Sequence, residues 1–136
     1  MTTTKPFQLG SVSTGTLRTE DLFTPLIAKL REFNPHHHLV QKWDVFVLND
    51  SDAEIMGQLA EALQAYCPPF VYFGAHPDDP SDFGFFPDWD AIDDATHYLS
   101  QREGEYKLTY DLVIRIYDHG NVTVMTLDRN VLWTTV

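Results

Sequence analysis

A histidine followed by a proline and two aspartates, His76-Pro77-Asp78-Asp79, is the stretch of this sequence whose residue types could do chemistry. Imidazole and carboxylate groups are common ligands of Zn²⁺, and a zinc-bound water is a nucleophile near neutral pH. Prolines mixed with short polar residues between two aromatic runs are also typical of a chain reversal. The stretch therefore predicts either a metal site or an acidic turn between two strands.

Acidic residues are concentrated in the middle of the chain. The protein has 136 residues and a formal net charge of −11, and residues 43–101 contain twelve acidic residues and no lysine or arginine. Such a field repels nucleic acid and attracts a basic surface, although it also serves solubility. We therefore expect a basic protein partner, no direct binding of nucleic acid, and one negative surface formed by Asp78, Asp79, Asp82, Asp88, Asp90, Asp93 and Asp94.

The length and composition predict a single domain over residues 1–136, because this length is typical of one hydrophobic core. No apolar run approaches the roughly 20 residues of a membrane-spanning helix, and the N-terminus lacks the pattern of a signal peptide. Cys67 is the only cysteine, which excludes an intrachain disulfide, and no base is evident beside it. We expect a cytoplasmic protein with no membrane contact, no metal and no cofactor.

The first helix is predicted over residues 19–33, where apolar residues recur at spacings of three and four. Its start is open between two alternatives. Either Thr19 caps a short first turn that Pro25 then bends, or Thr24 is the N-cap and Pro25 the first helical residue.

Two further helices are predicted by their start signals. Ser51 and Glu54 form a capping box, and Asp88 is a suitable N-cap for a helix over residues 89–101. The expected inner faces are Ile55, Leu59, Leu63 and Tyr66 in one helix, and Trp89, Ile92, Thr96 and Leu99 in the other.

Strands are predicted at residues 43–49, 70–75 and 82–87, which are rich in aromatic and β-branched residues. The histidine run 36–38 follows Asn34-Pro35 and is expected to be an exposed loop.

Residues 108–117 alternate between apolar and polar types, which predicts a strand with one buried face. If the next turn has His119-Gly120 as a two-residue loop, the apolar face continues into the following strand. The expected cross-strand pairs are Ile116 with Thr123, Ile114 with Met125 and Leu112 with Leu127.

These elements predict an α+β fold: a mostly antiparallel sheet with about three helices packed on it and a C-terminal β-hairpin. Residues 131–136 form either a further strand or a partner-binding arm with an exposed Trp133.

Three segments, GTLRTEDL, YFGAHPDDPSDFGFFPD and YDHGNVTV, resemble small bacterial and phage-associated proteins. Those proteins carry a similar Tyr-Phe-Gly-Ala-His-Pro…Asp-Phe-Gly-Phe block and a C-terminal Asp-His-Gly-Asn-Val-Thr turn. The resemblance implies a bacterial or phage setting and transfers no catalytic residues.

The shorter segment Ala-His-Pro-Asp-Asp is similar to the Ala-His-Pro-Asp-Asp-Glu zinc motif of the N-acetylglucosaminyl deacetylase superfamily. This resemblance implies His76 and Asp79 as zinc ligands, Asp78 as the base, and His97 or His119 as the remote ligand. A proline follows Asp79 where the motif has glutamate, and the αβαβ alternation of that superfamily is missing downstream.

Three classes of function follow from these observations. The first is a non-enzymatic acidic binding protein, such as a phage-type inhibitor that occupies the basic surface of a host defence or nucleic-acid-processing complex. The alternatives are a zinc-dependent hydrolase or deacetylase, and a structural or oligomeric phage component that uses the C-terminal strand and Trp133.

Overall fold

The computed structural model describes residues 6–16, 18–42, 53–96, 104–108, 111–117 and 120–136. Their elements, in chain order, are β1 Gly10–Ser13, α1 Thr19–Phe33, α2 His38–Lys42, α3 Ala53–Gln64, β2 Val71–His76, β3 Asp79–Pro87, α4 Trp89–Thr96, β4 Gly104–Lys107, β5 Leu112–Ile116, β6 Val122–Thr126 and β7 Val131–Thr134. The strands form two antiparallel sheets, which confirms the predicted α+β class. The predicted strand 43–49 and the cap residue Ser51 lie outside the described residues.

The contacts of the chain divide it into two compact units. The helical unit comprises residues 10–67 and 72–86, and the meander unit comprises residues 1–9, 68–71 and 87–136. The single domain expected over residues 1–136 stays a prediction. Within the described residues, no helix is both long and apolar enough to cross a bilayer.

In the helical unit, α1 packs against α3 through the apolar faces that the sequence predicted. Leu30 of α1 and Leu59 and Leu63 of α3 are completely buried. Phe33 continues this contact beyond the aliphatic residues, because its ring stacks on Tyr66 at 4.9 Å between centroids. The helical periodicity therefore identified both the helices and their buried sides.

The start of α1 differs from both predicted alternatives. The helix begins at Thr19 with Arg18 as the N-cap residue, and Pro25 lies inside the helix. The Arg18 side chain makes no capping bond; instead, the Arg18 N–H donates to Thr16 Oγ1 at 3.2 Å. Thr16 Oγ1 in turn donates to Asp21 at 2.9 Å, so a threonine before the helix orders its first turn.

The three-stranded sheet of the helical unit has the order β1-β3-β2 and depends on a glycine. Gly84 pairs with Ser11, and a Cβ placed at Gly84 would lie 2.2 Å from the carbonyl oxygen of Gly10. Neighbouring backbone cannot yield to such an overlap as a flexible side chain can. The two strands reach this distance because residue 84 has no side chain.

The meander unit contains a four-stranded sheet in which sequential strands are neighbours, in the order β4-β5-β6-β7. Each of its three hairpins closes with a backbone bond across three intervening residues: Leu108 N–H to Leu112 O, Tyr117 N–H to Asn121 O, and Thr126 N–H to Asn130 O. The last residue of each loop has a positive φ: Asp111 at 59°, Gly120 at 82° and Arg129 at 70°. This is the geometry of three-residue hairpin loops, in which the third residue is left-handed.

The three-residue loops correct the predicted strand and register. The expected strand 108–117 is interrupted before Leu112, since residues 104–107 and 112–116 form two separate strands. The loop before Asn121 has one residue more than the predicted His119-Gly120 pair, so all pairs shift by one. Ile114 faces Val124, Ile116 faces Val122 and Leu112 faces Thr126, while Leu127 is exposed in the next loop.

Apolar residues of the central strands are buried on both faces, whereas one buried face was expected; the second face also carries the exposed Arg115. Ile114 and Val124 are fully buried on one face, and Val113 and Met125 are 7% and 6% exposed on the other. The second face is therefore buried at Val113 and Met125 and exposed at Arg115.

Trp133 belongs to the core of the meander unit, so the alternative of a partner-binding arm with an exposed Trp133 is wrong. Its side chain is completely buried, it pairs with Val124, and its Nε1–H donates to Pro69 O at 2.7 Å. A buried indole is typically paired in this way. Residues 131–134 are strand β7, the first of the two alternatives.

We predict that Gly84→Ala disrupts the pairing of β1 with β3. The new methyl group meets backbone atoms, so the free energy of unfolding should fall by about 2 kcal/mol or more. Gly57→Ala is the matched control: this glycine lies in α3 with open space around it, and the change should stabilise the helix by about 0.5–1 kcal/mol. Urea unfolding followed by circular dichroism measures both, and equal effects would contradict the close approach.

We also predict that Trp133→Phe lowers the free energy of unfolding by about 2–4 kcal/mol, because it removes buried volume and the donor to Pro69 O. Trp89→Phe is the control at a tryptophan that is 43% exposed, where a change within about 0.5 kcal/mol is expected. A small effect at Trp133 in the same unfolding assay would argue against its place in the core.

Candidate functional site

The His76–Asp79 stretch forms the tip of a hairpin in the helical unit. Strands β2 and β3 end and begin at His76 and Asp79, so Pro77 and Asp78 form a two-residue turn. The Asp78 N–H donates to His76 Nδ1 at 3.0 Å. Asp79 Oδ1 accepts from both the N–H and the hydroxyl of Ser81, at 3.0 and 2.7 Å. These bonds are typical of a polar turn, which was one of the two alternatives predicted for this stretch.

The same bonds would compete with metal binding by the predicted zinc ligands His76 and Asp79. His76 Nδ1 is already an acceptor, its ring lies edge-on to Phe86 at 5.0 Å, and a metal at Asp79 would compete with Ser81 for Oδ1. Among the described residues, no three histidine, cysteine, aspartate or glutamate side chains are grouped as metal ligands. His97 and His119, the expected remote ligands, lie outside the described residues.

The ionisation of Asp79 follows from the turn. The two bonds from Ser81 hold the pKa of the Asp79 carboxyl below its usual range, with a smaller contribution from the nearby His76. Because this pKa is lowered, the exposed carboxylate is negatively charged at neutral pH.

Asp82 differs from its neighbours on the hairpin. It is half-buried, and its Oδ1 atom is buried with no hydrogen-bond partner among the described residues. A buried carboxylate oxygen without a donor is unfavourable. Asp82 thus presents less of its charge to solvent than the predicted negative surface requires, whereas Asp78 and Asp79 are exposed.

The other four predicted site residues lie on or beside α4 in the meander unit. Asp88 is the N-cap, as predicted, and its Oδ1 accepts from the Ala91 N–H at 3.1 Å. Asp90, Asp93 and Asp94 are exposed on the helix, away from the buried Ile92 and Thr96.

The prediction that Trp89 lies on the inner face of α4 is wrong. Trp89 is 43% exposed, although Ile92 and Thr96 from the same face are buried. Trp89 is the first residue of α4, so no preceding turn of this helix lies beside it. Leu99 lies outside the described residues.

The seven predicted site residues therefore form two groups. Asp78, Asp79 and Asp82 belong to the hairpin of the helical unit, and Asp88, Asp90, Asp93 and Asp94 belong to the meander unit. Their convergence on one negative surface stays a prediction.

The histidine run contributes to a groove rather than to an exposed loop alone. His38 begins α2, and His37 is half-buried with its ring stacked on His38 at 4.6 Å. Burial, with the neighbouring His38 as the second cause, lowers the pKa of His37. The groove has a volume of about 360 Å³ and is lined by His37, His38, Leu39, Gln58, Glu61, Ala62 and Ala65. The sequence carried no signal that α3 would lie beside the histidines.

Cys67 has the environment of an unreactive thiol. It is half-buried, its Sγ lies 3.9 Å from the carbonyl oxygen of Leu63, and burial raises its pKa to about 11. The thiol is therefore protonated at neutral pH, which disfavours a role as nucleophile.

A cluster of charged side chains on the four-stranded sheet was missed by the sequence analysis. Glu105 of β4 lies opposite Arg115 of β5, with 3.2 Å between Glu105 Oε1 and Arg115 Nη1. Arg129 donates to the other carboxylate oxygen of Glu105. Glu105 lies ten positions from Arg115 and 24 positions from Arg129 in the sequence, so only the correct register could have brought them together in a prediction.

Comparison with known proteins adds no assignment: no family model, no curated protein and no solved structure matches this chain.

We predict that Ser81→Ala raises the pKa of Asp79 toward the ordinary aspartate value, because the hydroxyl donor is lost while the backbone N–H of residue 81 still donates. A pKa that is lowered by folding contributes stability above the unfolded-state pKa, and this contribution is lost as the pH falls through the folded-state pKa. NMR titration of the side-chain carboxyl carbon measures the shift. Ser11→Ala on β1 is the control, and an unchanged Asp79 pKa in Ser81→Ala would contradict the bond from the Ser81 hydroxyl.

Proposed function

We propose that the protein is a non-enzymatic acidic binding protein that occupies the basic, nucleic-acid-binding surface of a bacterial host complex, in the manner of a phage-type inhibitor. The observation that carries the proposal is the density of exposed carboxylates on α4. The bacterial or phage setting rests on the resemblance of the three sequence segments described above.

The charge density of α4 is close to that of duplex DNA. Asp90, Asp93 and Asp94 lie within four helical steps, which is about 6 Å of helix axis, or about one charge per 2 Å. Duplex DNA has about one negative charge per 1.7 Å of axis. A lysine- or arginine-lined surface that binds phosphates thus meets a similar linear density of charge on this helix.

The charges on α4 are accessible to a partner. Asp90 and Asp94 are exposed, and neither forms a salt bridge with a lysine or arginine of the described residues. Trp89 at the start of the same helix adds an exposed aromatic ring, a residue type that is enriched in protein interfaces. Its ring can lie over a partner's lysine or arginine side chain, which suits a basic surface.

The hairpin of the helical unit supplies a second acidic element. Asp78 and Asp79 are exposed at a tight turn, and Asp79 is held in its ionised form by Ser81. Long-range attraction by such charges accelerates association with a basic partner and is weakened by salt.

We predict that the variant Asp90→Asn/Asp93→Asn/Asp94→Asn binds the partner more weakly, chiefly because association is slower, and that added salt removes much of the difference. Asp88 is left unchanged because it caps α4. The partner is first recovered from a bacterial lysate with the unaltered protein, and its kinetics are then measured by surface plasmon resonance at low and high salt. The recovered partner should bind duplex DNA in competition with this protein.

The matched control is Glu54→Gln/Glu61→Gln/Asp128→Asn, which changes the net charge equally at three exposed residues outside α4. It should retain the association rate of the unaltered protein within about twofold. Thermal melting checks that both variants are folded. An equal loss in both variants would mean that only net charge matters, and an undiminished rate in the α4 variant would reject α4 as the interface.

A further inference from the structure

One face of the four-stranded sheet carries a group of positive charges in an otherwise acidic protein. Glu105 and Lys107 are two residues apart on β4, so their side chains lie on the same face of the sheet. They pair with Arg115 and Val113 of β5, whose side chains share that face. Arg129, from the loop between β6 and β7, reaches the same face through Glu105. We call Lys107, Arg115 and Arg129, together with Glu105, the cationic face; it contains three positive charges and one negative charge.

The two arginines are held in place by their surroundings. Arg115 lies over the ring of Tyr117 at 5.1 Å, and Arg129 Nη1 lies 3.9 Å from Met125 Sδ. Both nevertheless remain accessible, since their side chains are 47% and 59% exposed. Each guanidinium contacts Glu105 through Nη1, and its other donors have no acceptor among the described residues.

Glu105 indicates which chemistry the cationic face binds. Its carboxylate accepts from both guanidinium groups, and the bond from Arg129, followed by that from Arg115, lowers its pKa. A carboxylate is therefore already bound between two arginines, whose planar forks match carboxylate geometry. Two positive charges remain uncompensated once Glu105 is subtracted.

We propose that the cationic face binds an acidic protein segment, with the carboxylates of the partner accepting from the remaining donors of Arg115 and Arg129 and pairing with Lys107. Complementarity of charge selects an anionic partner. The net charge of −11 makes a long polyanion such as nucleic acid unfavourable, because the rest of the chain repels it, whereas a short run of glutamates or aspartates meets chiefly the local field. The inference is independent of the proposed function, since it does not use the aspartates of α4.

The test measures the fluorescence anisotropy of a labelled oligoglutamate peptide titrated with the full-length protein at low salt. The variant Arg115→Gln/Arg129→Gln should bind roughly tenfold more weakly or worse. Arg18→Gln/Arg31→Gln, at two exposed arginines of the helical unit, changes the net charge equally and should bind within about twofold of the unaltered protein. Melting temperatures check the folding of each variant.

Glu105→Gln separates binding from a purely structural ion pair. The variant removes the internal carboxylate and frees donors of both arginines, so the peptide should bind roughly threefold more tightly. An ion pair with only a structural role would lower the melting temperature and leave the peptide affinity unchanged.

Three results would overturn the proposal. The first is equal peptide binding by the Arg115/Arg129 variant and its control. The second is tighter binding of a single-stranded oligothymidylate than of the peptide at the same salt, which would assign the face to nucleic acid. The third is a concentration-dependent mass of the protein alone that the Arg115/Arg129 variant abolishes, which would assign the face to a second copy of this chain.

Discussion

The geometry of the meander unit depends on a left-handed residue at the end of each hairpin loop. Asp111, Gly120 and Arg129 have positive φ and are spaced by nine residues, so each strand and its loop repeat at the same interval. Glycine adopts this conformation without strain and aspartate tolerates it, but arginine does so at a cost. At Arg129 the same conformation accompanies its contacts with Glu105 and Met125. The register that follows places Glu105 opposite Arg115 and Trp133 opposite Val124, which creates both the cationic face and the buried core.

Helical periodicity and capping chemistry were readable from the sequence because they depend on residues close together in the chain. The α1 bounds 19–33, the buried Leu59 and Leu63 and the Asp88 cap each follow from spacings of four residues or fewer. The register of the hairpin formed by β5 and β6 could not be predicted from nearby residues in this way. A two-residue and a three-residue loop ending at Gly120 both maintain an apolar face and both place Gly120 at positive φ, so only the closing bond from the Tyr117 N–H to Asn121 O and the register of the strands distinguish them.

The candidate sites also differ in whether nearby residues in the sequence were enough to predict them. The acidic residues were found from composition, and their exposure on α4 follows from helical spacing. Trp89, the half-buried Asp82 and the groove beside His37 needed tertiary structure, because each is defined by which chain segment lies against it. The cationic face was invisible for a related reason: its charges are few, are interspersed with acidic residues in sequence, and become adjacent only across strands.

Backbone groups at one edge of each sheet are hydrogen-bonded within the protein. At β2, an edge strand, the Phe73 N–H donates to Gln64 Oε1 at 2.8 Å and the Ala75 carbonyl accepts from Tyr72 at 2.8 Å. At β7, the edge carbonyl of Leu132 accepts from the Phe7 N–H at 2.7 Å. At these positions of β2 and β7, backbone groups that would otherwise pair with an added strand are bonded within the protein, which disfavours strand addition there. The recognition proposed for α4 and for the cationic face uses charged side chains that these bonds leave accessible, and added salt should weaken association at either surface, so that substitutions confined to one surface are needed to distinguish them.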